Sequence, residues 1–240
     1  MLKRTILALS FFLSCFPVRS RDALVCGSSC EGSFAVHSTS SPADTLPEIF
    51  RFGDISGMKG GYEFESRDGV AVIDAEHYWS AVDAAGAAWT VIPYMGRTRS
   101  GISLQPYNAE VDGSSISYRV RIPEGADTAE VHVICSSTLA FSRKSGHRYV
   151  VGLEGSDGVE VNFNGELNEE PENIYRLTYP TVASRVIEKV VRLDMTGEGE
   201  YRDIVIRPLD PGLVLEKIVV DFGGFRKEYL YSRESPGRRH

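Results

Sequence analysis

Asp74 and Glu76 stand two apart in the stretch VAVIDAEHYWS, residues 70–80, and Asp221 closes a second apolar stretch, LVLEKIVVD, residues 213–221. In an extended strand alternate side chains share a face and lie ~6.6 Å apart. Ala71, Ile73 and Ala75 then form one apolar face, while Asp74 and Glu76 share the other and offer two oxygen donors side by side. If the first and last strands pair, Asp221 brings a third carboxylate, and an all-oxygen cluster suits a structural Ca²⁺ ion. The competing reading is three solvent-facing carboxylates with no metal. His77 follows the acidic pair but alternation turns it to the opposite face, which argues against a catalytic His–carboxylate dyad.

A second group lies in AAGAAWTVIPYMGRTRSG, residues 84–101, read as a Gly-rich connection between strands. It holds Trp89 and Tyr94 close to Arg97 and Arg99. Aromatic faces stack on sugar rings and guanidinium forks grip carboxylates, so a loop with both fits an acidic sugar. Binding residues also gather on loops of rigid scaffolds. Equally open is a packing role, in which Trp89 plugs the end of the core and the arginines sit in solvent.

Other chemistry lacks its local geometry. The chain has no G-x-S-x-G elbow, no H-E-x-x-H helix and no P-loop. The acidic run Asn168–Glu172 reads as a solvated loop, whereas a glycosidase holds two carboxylates at fixed separation across a cleft. A formal net charge of −7 argues against nucleic acid as a partner, since phosphates call for a basic footprint. No catalytic residue is assigned.

Stepping along the 240 residues, Lys3 and Arg4 precede the apolar run Ile6–Pro17, which reads as an export signal over residues 1–20. The preceding Phe12-Leu13-Ser14 makes Cys15 a loose lipoprotein box, a route to a lipid anchor. Export permits disulfides, but the four cysteines, Cys15, Cys26, Cys30 and Cys135, leave an odd number once a signal carrying Cys15 is removed. Cys135 ends a strand-like run and reads as a buried small hydrophobe. Residues 21–61 are rich in Ser, Gly and Pro and read as a linker.

From Tyr62 short alternating or apolar runs are punctuated by turn pairs such as Asp112-Gly113, Asp157-Gly158 and Pro211-Gly212. The expected strands are Tyr62–Ser66, Ala71–Glu76, Gly101–Gln105, Ser115–Ile122, Glu130–Cys135, Tyr149–Leu153, Val159–Phe163, Ser184–Leu193, Tyr201–Arg207 and Leu213–Val220. Ser184–Leu193 also fits helical spacing. This pattern predicts an all-β, jelly-roll-like β-sandwich over residues 62–225. The basic segment 226–240 reads as a solvated tail, although Tyr229, Leu230 and Tyr231 could pack on the sandwich.

The pieces DAEHYWS, GAAWTVIPYMGRTRSGIS, SSTLAFS, DPGLVLEKIVVDFGG and RKEYLYSRESP resemble, in that order, the C-terminal β-sandwich domain of glycoside hydrolase family 115, the xylan α-glucuronidases. The resemblance runs from about Asp68 to Pro236. The opening A-E-H-Y and closing I-V-V-D are also similar to carbohydrate-binding modules of families 6 and 35, which implies a structural calcium on Asp74, Glu76 and Asp221. Family 115 enzymes carry their catalytic residues upstream of this sandwich, where this chain reads as signal and linker. The resemblance therefore implies an ancillary role: contact with xylan-type, uronic-acid-bearing polysaccharide, or docking to a glycan-degrading enzyme or surface complex.

Overall fold

The computed structural model describes residues 60–97, 100–138, 146–168 and 170–240, all within the compact unit Pro42–His240. The export signal, Cys15, Cys26, Cys30, nearly all of the linker and Arg99 lie outside the described residues.

Two sheets pack face to face. One has the order β13-β1-β6-β11-β8-β9, with β3 also on β6; the other runs β10-β7-β12-β5-β4, with β2 also on β12. The strands are β1 Tyr62–Glu65, β2 Val70–Asp74, β3 Ser80–Val82, β4 Ala88–Pro93, β5 Ser100–Gln105, β6 Ser115–Arg121, β7 Thr128–Ser136, β8 Arg148–Leu153, β9 Val159–Asn162, β10 Val186–Asp194, β11 Tyr201–Pro208, β12 Val214–Asp221 and β13 Gly237–Arg239. Most pairs are antiparallel, as hairpins and Greek-key connections require, and β1 with β6 is parallel. An all-β sandwich is what the alternation predicts.

Alternation along the strands explains the core. In β6, Ile116, Tyr118 and Val120 are fully buried while Ser115, Ser117, Arg119 and Arg121 face outward. The facing sheet contributes Ile73, Ile102, Val131, Val133, Leu215, Ile218 and Val220, and Cys135 joins them as a free, buried thiol. Between inward-facing Leu215 and Ile218 the register of β12 against β7 slips by one residue. This β-bulge inserts an extra residue, so the consecutive Glu216 and Lys217 both leave the core side.

Two expectations change. Residues 88–93, read as part of a connection, form β4 on the edge of the second sheet. The stretch Ser184–Leu193, despite its helical spacing, is the expected strand, β10; a short helical excursion over residues 171–184 precedes it and ends at Arg185, whose left-handed backbone (φ 63°) turns the chain into β10. The basic segment is docked on the sandwich, although its lysine and arginine side chains stay exposed. Residues 222–236 cross the outer face of the second sheet, where Tyr231 and Phe225 cover Val72, Ile134, Val186 and Val219. The chain then closes on the other sheet as β13, antiparallel to β1. The physical reason is that β2, β7, β10 and β12 each put an apolar side chain, Val72, Ile134, Val186 and Val219, on the outer face, and that patch needs a cover.

Candidate functional site

The three carboxylates expected to hold calcium do not converge. The first core strand and the last do pair, β2 against β12, but the register sets Asp74 opposite Lys217 and Val70 opposite Asp221. Asp221 thus lies four positions further along, ~13 Å from Asp74 at strand spacing. Asp74 is compensated within the protein: the Lys217 ammonium lies 3.1 Å from its Oδ1. That ammonium also donates to the carbonyls of Leu230 and Ser232, tying the crossing segment down. Asp221 instead caps the turn beyond β12, its Oδ1 accepting the N–H groups of Gly223, Gly224 and Phe225.

Glu76 is not on the face of Asp74, because β2 stops at Asp74 and a tight turn follows, closed by His77 N–H on Asp74 carbonyl at 2.9 Å. The turn drops Glu76 into the interior, 1 % exposed and bonded to Ser100 Oγ. It also brings His77 toward the carboxylates that alternation alone turns it from: Nδ1 lies 2.7 Å from Glu234 Oε1 and Nε2 3.8 Å from Glu76 Oε1. Asp74, His77 and Glu234 therefore form a tight polar knot. With Lys217 supplying a cation inside it, the knot serves to anchor the C-terminal segment to β2.

The aromatic–basic group is also redistributed. Trp89 pairs with Leu104 in the β4–β5 ladder and packs its ring against buried side chains, its indole N–H donating to Val82 carbonyl at 3.0 Å. Tyr94 follows β4 with a left-handed backbone (φ 57°) and is 68 % exposed. Arg97 reaches the other way, onto the outer face of the second sheet. Its Nη1 donates to Tyr229 carbonyl at 3.1 Å and its guanidinium carbon stands 4.1 Å from the Tyr229 ring centroid. The approach needs Gly96: a Cβ there would fall 2.0 Å from the Glu216 carboxyl carbon. Glu216, fully buried, accepts the Arg97 backbone N–H at 3.0 Å. Burial pushes its carboxyl above the usual carboxylate range, against the smaller pull of that bond and of Ser136.

Arg97 lines a cleft of about 290 Å³ bounded by β10, the helical excursion and the C-terminal segment. Leu167, Leu177, Val186 and Ile187 make its apolar wall, and Tyr231 supplies an aromatic ring. Arg97, Lys189 and Lys227 face Glu166 and Glu188 across it, three cations to two carboxylates. Lys189 is paired with Glu166 at 3.7 Å and Lys227 with Glu188. Arg97 pairs with neither of these carboxylates; its charge is felt by the buried Glu216 carboxyl behind it. An apolar wall with a few convergent polar groups and a cation at its edge is the make-up of a small anionic-ligand site, at the lower end of the usual size range.

Sequence reasoning passed over Trp79, although it sits in the same DAEHYWS stretch. On the outer face of the first sheet Arg119 makes a bidentate pair with Asp203, at 2.7 and 2.6 Å, and its guanidinium lies 3.6 Å from the Trp79 ring centroid. That stack covers one face of the indole with protein.

These features define a two-sheet β-sandwich with a strapped outer face and a basic-edged cleft. Residues 63–234 match the family model of the glycosyl hydrolase family 115 C-terminal domain, and the chain belongs to that family. Among solved structures, one similar chain is a family 115 4-O-methyl-α-glucuronidase with specificity for decorated arabinogalactans: 18% identity, TM-score 0.41, covering 60% of this chain and 17% of that one. Another is the C-terminal family 6 carbohydrate-binding module of a laminarinase from Zobellia galactanivorans, at 13% identity and TM-score 0.42, covering 63% and 98%. A third is a family 6 module from Cellvibrio mixtus lichenase 5A in complex with cellotriose, at 13% identity and TM-score 0.38, covering 63% and 95%. The chain thus spans about a sixth of the length of that glucuronidase. No match was found among curated proteins.

Proposed function

We propose that this chain is an exported, noncatalytic carbohydrate-binding sandwich whose ligand is a polysaccharide bearing uronic acids, of the xylan type. The observation that carries the reading is Arg97: a guanidinium stacked on Tyr229, in no ion pair with the cleft's two carboxylates, at the edge of a cleft walled by apolar side chains and Tyr231. A sugar ring presents an apolar face to such a wall, and its carboxylate meets the guanidinium in a charge-assisted bond. Membership of a family named for the C-terminal domains of glycoside hydrolases supports the same role. Export through the N-terminal signal, with or without a lipid at Cys15, would place the domain where such polysaccharides are found.

The test is affinity electrophoresis of the purified chain through gels containing glucuronoxylan, arabinoxylan, pectin or no polysaccharide. Retardation selective for glucuronoxylan, lost in Arg97→Gln with the circular dichroism unchanged, is the expected result. Equal mobility in every gel would overturn the reading.

One feature favours a second reading, docking to a separate protein. On the helical excursion Tyr175, Tyr179 and Val182 are 75, 54 and 67 % exposed. Their spacing puts them on one face, an apolar stripe. Under this reading the chain binds no glycan, and a partner is recovered with the wild type but not with Tyr175→Ser/Tyr179→Ser.

A further inference from the structure

Glu130 and Asp221 stand directly opposite each other on β7 and β12. Like charges in that position repel. His132, two residues on, points to the same outer face. Its Nδ1 lies 2.7 Å from Glu188 Oε1. That contact occupies Nδ1 and leaves Nε2 as the ring nitrogen open to another partner. His132 is 8 % exposed, and its Nε2 is buried with no hydrogen-bond partner. One donor atom from each of Glu130, His132 and Asp221 lies within 4.8 Å of the others.

We propose that Glu130, His132 and Asp221 form a binding site for one divalent transition-metal ion of the Zn²⁺ class. An imidazole nitrogen with two carboxylate oxygens is a borderline donor set, which suits Zn²⁺ better than the all-oxygen shell that Ca²⁺ takes. The Glu188–His132 bond is the outer-shell contact that orients a metal-bound histidine and raises its basicity. Asp221 is held rigid by the three N–H groups on Oδ1, which leaves its other oxygen for an ion. The Phe225 ring, 4.8 Å from the imidazole, walls the site on one side. Glu130 is exposed and can swing the short distance to the ~3.3 Å donor spacing of a tetrahedral shell, with water completing it. Arg192, opposite Glu130 on β10, is the nearest rival by register, but its Nη2 donates to Thr128 Oγ1 at 3.1 Å.

The experiment is calorimetric titration of the full chain with ZnCl₂, and separately with CaCl₂, after Cys15, Cys26 and Cys30 are changed to Ser so that those thiols do not compete. One Zn²⁺ per chain is expected, with Ca²⁺ bound far more weakly. Glu130→Gln, a surface change that leaves the fold intact, should weaken Zn²⁺ binding about tenfold or more, and His132→Ala should abolish it. Glu188→Gln should weaken it roughly 10- to 100-fold, through the histidine it orients. His77→Ala, in the other histidine–carboxylate knot, should leave affinity unchanged. Absence of Zn²⁺ binding, or binding indifferent to Glu130→Gln and His132→Ala, would overturn the assignment.

Discussion

At the scale of single residues, His77 shows how a turn changes the chemistry of its neighbours. Burial of the ring disfavours its charge, but the bond and charge of Glu234, with Glu76 and Asp74 nearby, outweigh it and raise the imidazole above 6.5. A group whose folded value exceeds its unfolded one stabilises the fold fully below the unfolded value, and loses that contribution as pH rises through the folded one. Urea denaturation of the wild type and of His77→Gln across pH should therefore show the largest gap below pH ~6.5, shrinking as pH rises through the raised folded value. A gap that is constant, or that widens with pH, would mean the imidazolium contributes nothing. Strand periodicity had turned His77 away from the carboxylates. The error came from extending β2 two residues beyond Asp74, and nothing in VAVIDAEHYWS marks where the turn begins.

Among the elements, the C-terminal segment has the largest role. Tyr231 is 2 % exposed and seals an apolar patch formed by four strands of the second sheet. The same segment gives Lys217 two of its acceptors and brings Glu234 to His77 and to the Asp74 N–H. Deleting residues 226–240 exposes that patch and removes two acceptors of the buried Lys217 ammonium, leaving it Asp74 alone. The expected loss is several kcal/mol, from the aromatic burial and those two bonds together. Urea unfolding of the truncated chain should show a much lower midpoint or no cooperative transition, and an unchanged midpoint would show the segment to be dispensable. The helical excursion and β4 are the other elements that change the site: one forms a wall of the cleft, and the other seats Trp89 on a strand, partly buried against the core.

Across the whole molecule, both sheets close on one interior, and Cys135 reports on it. The thiol is 1 % exposed, and burial, with a lesser push from Glu216, raises its pKa far above the ordinary value. The reactive thiolate is thus suppressed in the folded chain. Alkylation at Cys135, followed by mass spectrometry of its peptide, should proceed only at the rate of global opening and accelerate in parallel with urea unfolding. Fast labelling of the native chain would show that the interior opens locally.

The sequence alone determined the all-β class, ten of the strands, the buried face of Ala71, Ile73 and Ala75, the buried Cys135 and the turn pairs, because strand alternation and glycine-bearing turns are local and depend on residue type. It also singled out Arg97, whose place beside Tyr94 is visible in the chain. What only the tertiary structure decided is which charged groups meet. Register placed Asp221 four positions from Asp74 and opposite Glu130, a bulge turned Glu216 and Lys217 outward together, and the crossing segment carried Tyr229 to Arg97 and Glu234 to His77. These pairings join residues about ninety or more positions apart, and long-range register follows from packing of the apolar faces, which no local pattern of charges encodes.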